Sequence, residues 1–149
     1  MFKKILVPLD LREPDVAREA LATAEALAHA FGGELRLVYV MSPIAPVIPM
    51  AAIPQHLLDD IGATEQADLA AAASKISIGG LAVSTAVRIG SVYPELLSEA
   101  DEWGADHIVV GAHRRSMATF LLGSTAAALA RHAKCCVTIV RSPLKASFL

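Results

Sequence analysis

The sequence predicts a doubly wound α/β fold: five parallel strands in one sheet, with helices on both faces. Short runs rich in valine, isoleucine and leucine alternate with longer segments of helical periodicity. Such alternation implies right-handed crossovers and a parallel sheet. The chain has 149 residues, of which 54% are hydrophobic and 19% charged, so it can bury a sizeable core. No break in composition and no internal repeat divides it, and residues 1–149 are predicted to form one domain.

The first part of the chain predicts two strands joined by a helix. Residues 5–9 form a short apolar run, as expected for a strand buried on both faces. Pro14 suits the first turn of a helix, and Gly32 with Gly33 suits its end. Residues 35–40 are predicted to be the second strand. Apolar residues recur at helical spacing between the two strands at Ala20, Ala24, Leu27 and Phe31.

Prolines interrupt the next segment. Because proline disrupts regular helices and central strands, residues 42–54 are predicted to be a long loop. This loop is apolar for an exposed segment, and two interpretations stay open: a lid or partner surface, or a loop packed on its own helix or in a dimer. A second helix is expected over residues 55–76. Its core-facing residues are predicted to be Leu57, Leu58, Ile61, Leu69 and Ile76.

The second half of the chain continues the same alternation. A third strand is expected over residues 82–89, followed by a helix that Ser91 caps and Gly104 ends. A fourth strand, 107–110, stops at Gly111, and the loop 112–122 leads to a fourth helix that runs from Gly123 to about residue 133. The fifth strand is predicted over residues 137–140.

Composition argues against several classes of protein. Thirteen basic and fifteen acidic residues give a net charge of −2, which offers no basic footprint for nucleic acid. The apolar run after Lys4 is too short for a signal peptide, and no stretch is long and apolar enough for insertion into a membrane. Cys135 and Cys136 are adjacent and are interpreted as free thiols at the start of a buried strand. A reducing, cytoplasmic location is therefore expected.

Three segments are predicted to meet at the carboxyl edge of the sheet, where ligands bind in open parallel sheets. Pro8, Leu9 and Asp10 follow the first strand, Gly111 follows the fourth, and residues 123–125 open the fourth helix. A helix N-terminus offers unpaired N–H groups to an anion. Each segment alone could be an ordinary turn or helix cap, but together they favour an anion or nucleotide site. The sequence contains neither a P-loop motif nor G-x-G-x-x-G.

Five stretches of the chain resemble the universal stress protein family. They are KILVPLD (4–10), GSVYPELL (90–97), WGADHIVVG (103–111), GAHR (111–114) with LLGS (121–124), and residues 136–141. The resemblance covers the chain apart from the proline-rich loop and the last residues. ATP-binding members carry G-x2-G-x9-G-[ST]; this chain has Arg114 at the middle glycine and is similar to the ATP-binding F/G-type bacterial subgroup.

The resemblance implies an adenine nucleotide alpha hydrolase-like fold with strand order 3-2-1-4-5. It further implies a homodimer formed through the C-terminal strand, and ATP as the ligand. Because Asp10 would repel a triphosphate, Mg²⁺ or a similar divalent ion is expected between them, with Asp10 as its ligand. The residues that it assigns to the nucleotide are Pro8, Leu9 and Asp10 near the ribose and metal, the Val40 backbone at adenine, Gly111, His113 and Arg114 beside the phosphates, and Gly123, Ser124 and Thr125 around them.

Three functions stay open. The first is a regulatory module of the stress response in which ATP changes loop order and the binding of an unidentified protein partner, a membrane transporter or a regulator. The second is a slow ATPase or autophosphorylating protein, with Ser116, Ser124 or Thr125 as acceptor. His113 is the evident candidate base, and no nucleophile–base–orienter set accompanies it. The third is a related module that binds no nucleotide.

Overall fold

A computed structural model describes residues 1–42, 50–77, 79–112 and 122–141, and the side chains of Met50, Leu58 and Ile61 lie outside that description. Within it, strands and helices alternate as predicted. The elements are β1 (Lys4–Pro8), α1 (Pro14–Phe31), β2 (Glu34–Met41), a 3-10 turn (Met50–Ala52), α2 (Gln55–Ser77), β3 (Val83–Ile89), α3 (Val92–Trp103), β4 (His107–Gly111), α4 (Ser124–His132) and β5 (Cys136–Val140).

The five strands form one parallel sheet in the order β3-β2-β1-β4-β5, which confirms the predicted strand order. The direction of winding reverses between β1 and β4. Connections therefore leave these two neighbouring strands toward opposite faces, and a crevice opens beyond their carboxyl ends.

Helices cover both faces of the sheet. On one face, α1 and α2 pack on the strands through a core that includes Ala20, Ala24, Leu69 and Ile76. On the other face, α3 and α4 enclose a second core. The side chains of successive strand residues alternate between the two cores, as the pleat of a strand buried on both sides requires. The second core contains Leu6, Val38, Val40, Leu96, Ala100, Ile108, Val110, Ala126 and Leu129.

Several local predictions were wrong. Leu57 was expected to face the core, yet it is 45% exposed in the first turn of α2; Phe31, which continues the apolar spacing of α1, is 43% exposed at the last residue of that helix. Residues 50–52 form a 3-10 turn inside the segment predicted as a loop, whereas residues 43–49 lie outside the described residues. Ser91 precedes α3, but its side chain makes no capping hydrogen bond.

Candidate functional site

The carboxyl ends of β1, β2 and β4 and the first turns of α3 and α4 enclose one cleft. Its volume is about 210 Å³. The described residues that line it are Pro8, Leu9, Asp10, Arg12, Glu13, Val16, Ala17, Val38, Tyr39, Val40, Ser42, Val92, Leu96, Val110, Gly111, Ala112, Gly123, Ser124, Thr125 and Ala126. Eight of the ten residues predicted for the site are therefore brought together here. The other two, His113 and Arg114, lie outside the described residues.

The N-terminus of α4 forms one wall of the cleft. Gly123 is its N-cap residue, and the Gly123 carbonyl accepts the first helical hydrogen bond, from Ala127 N–H at 3.0 Å. The N–H groups of residues 124–126 consequently have no partner within the helix and carry the positive end of its dipole. The Gly123 N–H donates to the Ala112 carbonyl at 2.6 Å. A phosphate group would thus meet the N–H groups after Gly123 and not that of Gly123 itself.

Asp10 lies on the opposite wall and also shapes the chain around it. Its Oδ1 accepts the Arg12 N–H at 2.9 Å, and its carbonyl accepts the Glu13 N–H at 3.2 Å. A structural role of Asp10 in the turn and a role in ligand binding are therefore compatible. One carboxylate oxygen holds the turn before α1, and the residue still lines the cleft.

Gly111 lines the cleft where β4 passes close to α1. A Cβ atom at this position would lie 3.1 Å from the Val16 carbonyl oxygen. Close packing between β4 and α1 therefore accounts for the glycine by itself, without a phosphate. This requirement is visible only in the structure, since the sequence does not show which backbone approaches residue 111.

The apolar floor of the cleft comes from the ends of β1 and β2. Leu9 N–H donates to the Val38 carbonyl at 2.9 Å, which extends the pairing of the two strands by one step beyond Pro8. Val40 lies two residues further along β2, past the end of β1, and it is 8% exposed. Its position at the end of the shared ladder suits backbone contact with a flat ring.

Two charged residues of the cleft were missed at the level of sequence. Arg12 and Glu13 lie two and three residues after Asp10, and this closeness in sequence was the signal available. The Oε2 atom of Glu13 is buried and has no hydrogen-bond partner among the residues that the structure describes. Among the described residues that line the cleft, the ionisable ones are Asp10, Arg12, Glu13 and Tyr39.

A preformed metal cage is absent from the described part of the chain: no three His, Cys, Asp or Glu side chains there are grouped to hold an ion. Mg²⁺ commonly binds to one or two carboxylates together with substrate phosphates and water. The carboxylates of the cleft fit that type of coordination. Within the same described ranges, none of the helices is both long and apolar enough to span a bilayer.

Comparison with known proteins identifies the family. The model of the Universal stress protein family matches residues 1–141, and the chain belongs to this family. Universal stress protein G of Shigella flexneri is 32% identical over 143 residues, which cover 95% of this chain and all of that protein. The resemblance found in the sequence is thereby confirmed.

Solved structures of the family share the fold. Universal stress protein UspA from Lactobacillus plantarum superposes with a TM-score of 0.77 at 25% identity, covering 94% of this chain and 98% of that one. A universal stress protein from Archaeoglobus fulgidus, solved in complex with dAMP, has a TM-score of 0.65 at 25% identity over 93% and 98% of the two chains. Another, in complex with cAMP, has a TM-score of 0.69 at 26% identity over 95% and 98%.

Proposed function

We propose that this protein binds ATP, together with Mg²⁺ or a similar divalent ion, and acts as a nucleotide-responsive regulatory module of the cytoplasmic stress response. The observation that carries the proposal is the cleft itself. It combines an apolar floor, a carboxylate after β1 and the free N–H groups of α4 at the point where winding reverses. Relatives with the same fold that were solved with dAMP and cAMP support an adenine nucleotide as the ligand.

Each part of the nucleotide has a matching part of the cleft in this proposal. The Val40 backbone would meet adenine, and Pro8 and Leu9 would lie toward the ribose. The N–H groups of residues 124–126, with the hydroxyls of Ser124 and Thr125, would donate to phosphate oxygens. Asp10 would hold the divalent ion, which offsets the repulsion between its carboxylate and the phosphates.

Two measurements test this proposal. Mass spectrometry of nucleotide released from freshly purified protein identifies a bound ligand, and calorimetric titration with ATP, with and without Mg²⁺, measures affinity. Asp10→Asn is the sharper variant because its amide oxygen can still accept the Arg12 N–H while the charge is lost. We expect Asp10→Asn to abolish the increase in ATP affinity that Mg²⁺ gives to the wild type. Asp101→Asn on α3, away from the cleft, is the control and should keep that increase.

Failure of the two parts would be distinguishable. If the wild type binds no adenine nucleotide, the proposed function is wrong. If wild type and Asp10→Asn bind ATP with the same dependence on Mg²⁺, only the metal role of Asp10 is wrong.

Slow ATP hydrolysis or autophosphorylation is the second candidate, because the side chains of Ser124 and Thr125 line the cleft. Either hydroxyl could accept a γ-phosphoryl group if a base and charge stabilisation were supplied. Incubation with ATP followed by phosphopeptide mapping tests it. Phosphate on Ser124 or Thr125 that disappears in the alanine variants would favour autophosphorylation, and release of inorganic phosphate without it would favour hydrolysis; the absence of both in the wild type would leave the binding function alone.

A homodimer through β5 is part of the proposal. Among the described strands, β5 lies at the edge of the sheet and pairs on its β4 side alone. The Val140 carbonyl accepts a hydrogen bond from the Ala112 N–H, which lies on the β4 side. Because backbone groups alternate along a strand, Thr138 also faces β4, whereas Val137 and Ile139 present their N–H groups to the open edge. A second copy could extend the ladder there.

This alternation selects the variant for the test. Proline at residue 138 would remove a donor from the β4 ladder and damage the monomer, whereas Val137→Pro removes a donor from the open edge. Light scattering at micromolar concentration should give a dimer for the wild type and a monomer for Val137→Pro, with unchanged circular dichroism. A monomeric wild type would contradict the dimer. The protein partner, a membrane transporter or a regulator, stays a proposal that pull-down with and without ATP can address.

A further inference from the structure

Arg12 is a cation in a cleft wall that is otherwise acidic. It lies in the turn between β1 and α1, beside Asp10 and Glu13, and all three residues line the same cleft as the N-terminus of α4. The Asp10 carboxylate accepts the Arg12 N–H at 2.9 Å, which fixes the backbone from which the side chain departs.

The guanidinium makes no ion pair with either neighbouring acid. Among the described residues, the side chain of Arg12 has no hydrogen-bond or ion-pair partner, although carboxylates precede and follow it in the chain. Other arginines with acids nearby behave differently: Arg18 pairs with Asp15 at 2.5 Å, and Arg88 contacts Glu95 at 2.7 Å. Arg12 is exposed and remains available to an anion that enters the cleft.

Guanidinium groups suit phosphate because their planar array of donors can bind two oxygens at once. The positive end of the α4 dipole and Arg12 contribute to the same cleft, so they would act on one anionic group from two elements. In the proposed function a divalent ion at Asp10 offsets the repulsion between that carboxylate and the phosphates, and the Arg12 guanidinium would add positive charge on the same side of the cleft.

We propose that Arg12 binds the phosphate chain of the nucleotide and makes the site selective for phosphorylated over unphosphorylated adenine ligands. This inference rests on the proposed function and adds a residue that the family resemblance does not assign. Because its backbone N–H stays in place, Arg12→Ala removes only the guanidinium and its stem, and the turn held by Asp10 is retained.

The experiment titrates ATP, AMP and adenosine into four proteins: the wild type, Arg12→Ala, Arg12→Lys and Arg18→Ala. Loss of a charge-assisted contact should lower the ATP affinity of Arg12→Ala at least about tenfold. Adenosine affinity should stay within about twofold, since it lacks the group that Arg12 binds. Arg12→Lys keeps the charge without the planar fork and should fall between wild type and Arg12→Ala. Arg18→Ala removes an α1 arginine outside the cleft and should bind all three ligands normally.

The other outcomes of these titrations would contradict either the role of Arg12 or the proposed function. Unchanged ATP affinity in Arg12→Ala, or an equal loss for ATP and adenosine, would contradict the role of Arg12 while the proposed function stands. A similar loss of ATP affinity in Arg18→Ala would mean that any arginine near this end of the sheet affects binding through its charge alone, and it would also contradict a specific role of Arg12. A wild type that binds none of the three ligands would overturn the proposed function together with this inference.

Discussion

The imidazole Nε2 of His107 lies 2.7 Å from the hydroxyl oxygen of Thr138, so the first residue of β4 is joined to the middle of β5. His107 is 2% exposed, and its Nδ1 is buried without a hydrogen-bond partner among the residues described. Phe2 covers the ring at a centroid distance of 4.4 Å. Burial lowers the pKa of His107, and the nearby Asp106 opposes that effect only partly. The folded protein therefore favours the neutral ring.

Stability should consequently decrease as the pH falls through about 6.5, the ordinary pKa of histidine. The unfolded chain binds a proton there that the folded chain resists, so the contribution of His107 is complete above the unfolded pKa and is lost toward the lower folded pKa. Urea midpoints at pH 7.5 and 5.5 measure the difference. His107→Gln should reduce this difference. His132→Gln, which alters a histidine stacked on Tyr93 at the surface, is the control and should retain it.

Gly123→Val should weaken ATP binding at least about tenfold while the fold persists, through the loss of one or two charge-assisted hydrogen bonds. The backbone of Gly123, with φ −62° and ψ 154°, is extended, so valine causes no conformational strain there. The effect should come from the methyl groups in the cleft alone. Calorimetry and circular dichroism measure it; a folded variant with unchanged affinity would place the phosphates away from Gly123.

Glu99→Gln should destabilise the protein by about 2–4 kcal/mol, because two arginines share this buried carboxylate. Glu99 is 5% exposed and accepts from Arg36 at 2.7 Å and from Arg88 at 2.8 Å. Contact with its acidic neighbours raises the pKa of Arg88 further above its usual value, so the arginine stays charged. Urea unfolding is the measurement. Glu102→Gln, at a carboxylate that is 65% exposed, should change the midpoint far less, and equal effects would contradict this account.

Gly111→Ala and Gly62→Ala should have opposite effects on stability. A Cβ at Gly111 would lie 3.1 Å from the Val16 carbonyl oxygen and force α1 away from β4, at a cost of about 1–3 kcal/mol. Gly62 lies inside α2, and apart from its chain neighbours and the backbone of its own helix no described heavy atom lies within 4 Å of the new Cβ, so alanine should stabilise the helix by about 0.5–1 kcal/mol. Thermal unfolding measures both. A neutral Gly111→Ala would show that α1 can shift freely.

The order of elements was predictable because buried parallel strands are apolar runs and glycines mark the ends of α1 and α3. Gly32 and Gly104, which end α1 and α3, adopt φ of 61° and 75°, the conformation for which glycine is favoured. The burial of individual apolar residues near helix ends was harder to predict. Leu57 has the helical spacing of a core residue, but periodicity does not reveal that the first turn of α2 leaves this side chain exposed.

The site was predictable as a location and less so as a set of interactions. Asp10 and residues 123–125 were placed in one cleft by the topology rule for parallel sheets. The packing constraint at Gly111 and the unpaired side chain of Arg12 were not predictable, since the first depends on how closely α1 approaches β4 and the second on which of the described side chains pair. Both are tertiary facts that no local pattern encodes.

The hydrogen bond from Gly123 N–H to the Ala112 carbonyl brings the two ends of the segment 113–121 side by side. Chain length between fixed ends costs little, because the entropy of closing a loop grows only with the logarithm of its length. Insertions, deletions or transplanted sequences in this segment should therefore leave the sheet and α4 in register. Under the proposed function, any contact that this segment would make with the nucleotide could then be varied separately from the stability of the domain, which makes the segment a suitable position for recombination between homologues and for library design.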